Sequence, residues 1–424
     1  MLRNTVRLAL IICLMATKCL SVAAQENEAL KNFLKNKSLR HAAVGFKAVD
    51  LKTGKTIATF NENMAITPAS NIKLITTASA INIYGRHFRY KTTVLHEGQI
   101  CDSILNGNLY VQGAGDPTLG SESLQKEREH FLKEWLSAIK NAGIKSISGN
   151  IVIIDSLFGY NGVSEKWLVE DVGTDYAQGI FGICVFDNIF SPESKDNNKK
   201  RVSLADPGLF LSDYFKKFLE DNGLKVEGRA TTYRLEMLKS LLSGTTFDVP
   251  ENMQEIGAVY SPCLTEIVRE INVNSNNLFA EHLYRKMLSD SINIKALWQS
   301  QGLDSTALIM YDGSGLSPQN ATSADYLTSL LVFMNRQQGE HKNEFYLSLP
   351  LAGKEGTVAD FLKNTTFEGK MYVKSGSMSG VQCYSGYVEK GIKRYAFSLL
   401  VNNFSGERKE LKKAIERFFV ALFS

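Results

Sequence analysis

The sequence predicts an α/β fold of the α+β kind: one antiparallel sheet flanked by helices, with a large region inserted into it. Three observations carry this. Two apolar segments near the start, Ala43–Asp50 and Thr56–Phe60, read as strands joined by the turn Lys52-Thr53-Gly54-Lys55. Three more strands, 370–377, 381–388 and 394–402, close the chain. Between these groups, from 86 to 254, short apolar segments follow one another with a different texture. The expected organisation is a leader at 1–24, a main domain from 25–85 and 255–424, and one or two small subdomains in 86–254.

The elements follow in order. Residues 1–24 have the pattern of a cleaved export signal: Arg3 and Arg7, an apolar run at 8–16 too short to span a bilayer, then Val22-Ala23-Ala24 before Gln25. Neither Cys13 nor Cys19 is placed as a lipid-attachment cysteine. Residues 26–37 read as a helix. Residues 71–84 form a second, with Ile72, Leu74, Ile75, Ala78 and Ile81 at helical spacing and Gly85 as its stop. In the insertion, strands at 107–111 and 148–154 accompany one amphipathic helix at 124–141. Segments 262–272 and 276–288 read as helices broken at Asn274-Ser275-Asn276-Asn277, and 408–422 as a final amphipathic helix.

Composition excludes several classes of function. The chain has 424 residues, 44% hydrophobic and 22% charged, which is an ordinary globular balance. Losing Arg3, Arg7 and Lys18 with the leader lowers the formal charge from +4 to +1, so nothing points to nucleic acid. Cys101, Cys184, Cys263 and Cys383 are widely spaced without a Cys-x-x-Cys pair, which argues against zinc. Disulfides and buried free thiols both remain open.

The chemistry starts from a serine. A hydroxyl needs a nearby base to become a nucleophile, and a Lys three positions on shares its helical face. Three Ser-x-x-Lys pairs occur, at Ser70/Lys73, Ser123/Lys126 and Ser137/Lys140. Only Ser70 stands at a helix entry, where free backbone N–H groups also favour an oxyanion. A Ser-x-Asn turn can return the proton to a leaving amine, and candidates begin at Ser148, Ser275 and Ser291. A Lys-[Ser/Thr]-Gly strand can dock a carboxylate, its Gly admitting a close backbone. It occurs at Lys52-Thr53-Gly54 and at Lys374-Ser375-Gly376. Order along the chain selects Ser70/Lys73, Ser275/Asn277 and Lys374/Gly376, a set known in serine β-lactamases and penicillin-binding proteins. Lys52-Thr53-Gly54 precedes the nucleophile and is a turn.

On these residues the chain resembles the low-mass class C penicillin-binding proteins, D-alanyl-D-alanine carboxypeptidase/endopeptidases of the penicillin-binding-protein-4 type. Further segments carry the likeness: Gly113-Ala114-Gly115-Asp116-Pro117-Thr118-Leu119, Leu278-Phe279-Ala280-Glu281 after Asn277, Asp312-Gly313-Ser314-Gly315-Leu316-Ser317, and Val373 to Gly380. The long insertion between Lys73 and Ser275 fits this family and not simple β-lactamases.

The resemblance implies a β-lactamase/transpeptidase-like catalytic domain. In it Ser70 is acylated, Lys73 is the base, Ser275 and Lys374 relay the proton, and Asn277 positions the substrate amide. Ser375, Gly376, Ser377 and Met378 would line the substrate strand, with the N–H groups of Ser70 and Ser377 as oxyanion hole. Asp171 would approach the substrate from the insertion. Three positions depart from the family pattern: Ser375 replaces Thr, Asn276 replaces Asp, and Pro318 replaces an Arg that holds a stem-peptide carboxylate.

The implied substrate is peptidoglycan peptide, β-lactams are covalent inhibitors, and no metal or organic cofactor is required. The implied location is extracytoplasmic, in the periplasm. A serine β-lactamase and a non-catalytic peptidoglycan-binding protein are the alternatives. The insertion and the complete set of side chains argue against them in turn.

Overall fold

Five strands with alternating side chains set the architecture. β1 (Ala43–Asp50) and β2 (Thr56–Phe60) open the chain. β3 (Met371–Met378), β4 (Val381–Lys390) and β5 (Lys393–Asn402) close it. In this computed structural model, which describes residues 27–164, 166–190, 202–247, 250–337 and 343–424, they form one antiparallel sheet in the order β3-β4-β5-β1-β2. The expected leader, 1–24, lies outside the described residues.

Successive strand residues point to opposite faces, so the sheet has two cores. On β5, Tyr395, Phe397, Leu399 and Val401 join one, and Ala396 and Leu400 the other. The first core is roofed by α1 (Glu28–Leu34) and the last helix, Arg408–Phe423. Phe33 stacks on Phe418 with ring centroids 4.6 Å apart, so the first and last helices share one face as expected. α1 is shorter than the anticipated 26–37, because the Asn36 side chain accepts from the Ser38 N–H and starts a separate single turn.

The second core belongs to α2 (Ile72–Tyr84), α3 (Leu264–Asn274), α4 (Asn277–Ser289) and α5 (Ala324–Arg336). Arg408–Phe423 is then α6. The break between α3 and α4 is sharp. Ser275 takes a left-handed conformation, φ 58°, and the Asn276 side chain caps α4 by accepting from the Phe279 N–H at 3.1 Å.

The inserted region has its own mixed five-stranded sheet, ordered Ala230–Thr232, Ile151–Ile154, Leu109–Gln112, Lys91–His96, Gln254–Tyr260. The border drawn at 254/255 falls at the start of its last strand, which pairs from Gln254↔His96 to Tyr260↔Lys91. The insertion therefore enters and leaves through two neighbouring strands. The helix expected over 124–141 spans His130–Asn141 only. Leu124 packs against the core of the main domain, while Phe131, Trp135 and Ile139 face the insertion's core, so one helix face cannot serve both. Two further helices, Pro207–Asp221 and Tyr233–Ser243, complete this region. Cys101, Cys184, Cys263 and Cys383 are all free thiols; Cys184 and Cys383 are buried and Cys101 is exposed.

Candidate active site

Ser70 lies in a single tight turn, Ala69–Asn71, that leads into α2. Ala69 carries φ +46°, an unusual value for a residue with a side chain, so the backbone just before the serine is held in a strained shape. Two glycines hold it there. A Cβ on Gly315 would stand 2.1 Å from the Ala69 carbonyl oxygen, and one on Gly376 would stand 2.5 Å from that of Pro68. The missing side chain of Gly376 on β3 thus admits the turn that bears Ser70. Below the turn, the buried Asn71 side chain donates to Ser385 Oγ on β4 at 2.8 Å.

One turn along, Lys73 is fully buried. Its Nζ lies 3.1 Å from Ser70 Oγ, 2.6 Å from Asn277 Oδ1 and 2.5 Å from the Ser314 carbonyl oxygen. Two of these partners can only accept. A neutral amine has two N–H groups and one lone pair; with both N–H groups spent on Asn277 and Ser314, the lone pair faces the Ser70 hydroxyl. Burial pulls the Lys73 amine down to about 7, against the opposing pull of the Asp312 and Glu281 carboxyls.

Lys374, also fully buried, donates to Ser275 Oγ at 3.0 Å and to the Ser375 carbonyl at 2.8 Å. Burial first, then the neighbouring Lys73, holds its amine well below the ordinary range. The left-handed turn at Ser275 is what aims its hydroxyl at β3 rather than along α3. Thus Ser70, Lys73, Ser275, Asn277 and Lys374, drawn from three separate parts of the sequence, meet in one place.

The remaining expected residues are spread around this centre. Ser375 Oγ donates to Thr357 Oγ1 at 2.9 Å. Ser377 is exposed and Met378 half-buried, with the Met378 carbonyl accepting from Arg408 of α6 at 2.6 Å. Asp171 reaches the centre only indirectly: Tyr176 donates its hydroxyl to Asp171 Oδ1 at 2.8 Å, and the Tyr176 carbonyl accepts from Asn277 Nδ2 at 2.8 Å. Both ends of the Asn277 amide are therefore engaged by the protein. Asn276 donates to Glu270 Oε1 at 3.3 Å, where an Asp would set two carboxylates against each other. The Pro318 carbonyl accepts from Thr67 Oγ1 at 3.1 Å, just upstream of Ser70.

Sequence reasoning missed two acids. Asp312, fully buried, accepts from the N–H groups of Gly315 at 2.8 Å and Ser317 at 2.5 Å, from Asn320 Nδ2 at 2.7 Å, and from the Trp167 indole of the insertion at 3.0 Å. Glu281 accepts from the Ser314 N–H at 2.7 Å, and burial with the nearby Asp312 pushes its carboxyl up to about 8. Glu281 follows Asn277 by four positions on α4, which puts both on one face; that spacing was the available signal.

Beside Ser275 and Asn277 opens a cavity of about 280 Å³, lined also by Tyr176, Gln178 and Glu270. Ser123 is exposed in a turn, and the Ser137 hydroxyl bonds back to the Lys133 carbonyl at 2.8 Å within its own helix. Lys52-Thr53-Gly54 forms the β1–β2 turn, held by Asp50 Oδ1 accepting from the Thr53 N–H at 2.8 Å. Among the described residues, no group of three or more His, Cys, Asp or Glu side chains is placed to hold a metal ion.

The profile of the D-Ala-D-Ala carboxypeptidase 3 (S13) family matches residues 26–210 and 191–422. A D-alanyl-D-alanine carboxypeptidase of Actinomadura sp. (strain R39) is 25% identical, over 89% of this chain and 81% of its own. D-alanyl-D-alanine carboxypeptidase DacB of Haemophilus influenzae is 23% identical, over 85% and 86%. The crystal structure of penicillin binding protein 4 (dacB) from Haemophilus influenzae superposes with a TM-score of 0.76 at 18% identity, covering 92% of this chain and 97% of that one. At that identity the likeness shows a shared fold.

Proposed function

The chain belongs to the D-Ala-D-Ala carboxypeptidase 3 (S13) family and is a serine-type D-Ala-D-Ala carboxypeptidase/endopeptidase; from that premise we propose that its acyl-enzyme forms on Ser70 with Lys73 as base. The observation that carries the assignment is the placement of Lys73 Nζ, with two partners that only accept and the third the Ser70 hydroxyl. Lys73 takes the Ser70 proton as Oγ attacks the penultimate D-Ala carbonyl carbon. The new C–O bond replaces the C–N bond. The departing D-alanine amine receives a proton through the Ser275 hydroxyl, which Lys374 contacts. Water then attacks the ester, returns the hydrogen to Ser70 and releases the shortened peptide. The N–H groups of Ser70 and Ser377 serve the oxyanion. Ser375 and Ser377 offer hydroxyls to the terminal carboxylate beside Gly376 and Met378, and Asp171 approaches from the insertion.

The substrates are peptidoglycan stem peptides, and β-lactams acylate the same serine. The export pattern at 1–24 and the cell-wall substrate support action outside the cytoplasm, in the periplasm. No helix among the described residues is long and apolar enough to cross a membrane. Intact-mass measurement of the exported protein tests the leader, with Gln25 as the expected first residue. For the site, the protein is incubated with a labelled penicillin, digested and mapped. A lasting adduct on Ser70 is expected. An adduct on Ser123 or Ser137 refutes the assignment, and rapid release of opened penicillin makes the protein a β-lactamase. Digestion of purified muropeptides then reads out D-alanine release against cross-link cleavage.

A further inference from the structure

The geometry points to Asp312 and Glu281 as positioning residues for acylation, acting on Lys73 through the amide between Ser314 and Gly315. This rests on Ser70 and Lys73 as nucleophile and base. The carbonyl of that amide accepts from Lys73 Nζ at 2.5 Å, and its N–H donates to Asp312 Oδ1 at 2.8 Å. A carboxylate drawing on the N–H end of an amide makes the carbonyl end a better acceptor. One residue earlier, Glu281 takes the Ser314 N–H at 2.7 Å. The loop that touches Lys73 is thus gripped from below by two acids, neither of which reaches a position where substrate could touch it: both are almost wholly buried.

The two acids divide their work. Four donors converge on Asp312, from Gly315, Ser317, Asn320 and Trp167, and fix both of its oxygens. Burial first, then the neighbouring Asp312, raises the Glu281 carboxyl. Burial drives the amine toward neutrality, the acids restrain it, and the balance falls near neutral pH.

The other titratable groups facing this cluster are Lys374 from β3 and Tyr284 from α4, with Arg285 acting on Tyr284. The Trp167 contact adds a consequence: the insertion supplies one of the donors that hold the Asp312 carboxyl in place.

The test is the pH profile of penicillin acylation for Asp312→Asn and Glu281→Gln, alongside wild type. Each substitution removes a group that favours the protonated amine. The acid limb of the profile should therefore move to lower pH, by about one unit for Asp312→Asn and by less for Glu281→Gln. Melting curves establish which variants are folded. Glu281→Gln keeps an oxygen for the Ser314 N–H, so it decides the matter if Asp312→Asn does not fold. A downward shift in a folded variant supports the proposal. A lower rate, or an unchanged one, with an unmoved midpoint overturns it. Wild type in the same assay separates the two readings: no Ser70 adduct removes the premise, whereas a Ser70 adduct with unmoved midpoints removes only this inference.

Discussion

Replacing Gly315 by Ala tests how closely the nucleophile turn is held. Gly315 has φ +86°, and an added Cβ would lie 2.1 Å from the Ala69 carbonyl oxygen and 2.9 Å from the Ser70 nitrogen. Ordinary contact would require the loop and the turn to part by about 1 Å. The turn cannot simply retreat, because Gly376 on β3 backs it from the other side at a comparably short approach. The movement must therefore displace Ser70 from Lys73, and a misplacement of about 1 Å can cost on the order of 10²-fold in rate. A second cost, about 1–2 kcal/mol, comes from a side chain at positive φ.

Gly143→Ala isolates that second cost: its φ is +81°, and nothing lies within 4 Å of the added Cβ. The assay is the second-order rate of penicillin acylation with a melting curve for each variant. Gly143→Ala should lose stability and keep its rate, while Gly315→Ala should lose both. A Gly315→Ala protein that acylates within a few-fold of wild type would refute the argument that this contact positions the serine.

Other outcomes follow from the same site. Lys73→Arg stays charged at any working pH and should lose about 10²–10⁴ in acylation rate, as removal of a general base does; a folded variant within a few-fold of wild type refutes the base role. Acylation by wild type should rise with pH through about 7, because the neutral amine is the active form and burial places its titration there; a rate that stays flat across this range contradicts it. Lys52→Ala, on an exposed turn, should leave muropeptide cleavage nearly intact, whereas Lys374→Ala removes a buried partner of Ser275 and should abolish most of it. Equal losses would show that the first Lys-Thr-Gly is more than a turn.

The main sheet was legible because strand alternation and chain order sufficed to place β1, β2 and the last three strands. The meeting of Ser70, Lys73, Ser275, Asn277 and Lys374 was legible from the order of three short motifs, one at a helix entry, one at a break between helices and one on a closing strand. Other features needed coordinates. Pro207–Asp221 had a readable signal, Asp206 as cap before Pro207 with Leu211, Phe215 and Leu219 on one face, but it lay in a region whose borders the pattern did not define. The start of His130–Asn141 was misjudged because Leu124 serves a different core, which periodicity cannot reveal. Asp312 and Glu281 were passed over because a buried acid is recognised by the donors around it, and these come from Trp167, Ser314, Gly315, Ser317 and Asn320.

The order of strands has a kinetic consequence. β1 is flanked by β2, made immediately after it, and by β5, made almost last; Ala43 pairs with Asn402. Closing so long a loop is slow, and contacts of such high sequence separation are the ones that delay folding. While the chain emerges, the first hairpin waits with one edge of β1 unpaired, the kind of edge that invites pairing with another chain. The insertion can fold meanwhile, because its own entry and exit strands pair with each other. β3, which carries Lys374, is joined to β1 only through β4 and β5. A chain stopped short of β5 therefore leaves a folded insertion hanging from an open half-sheet, and protection of that edge matters most over this interval.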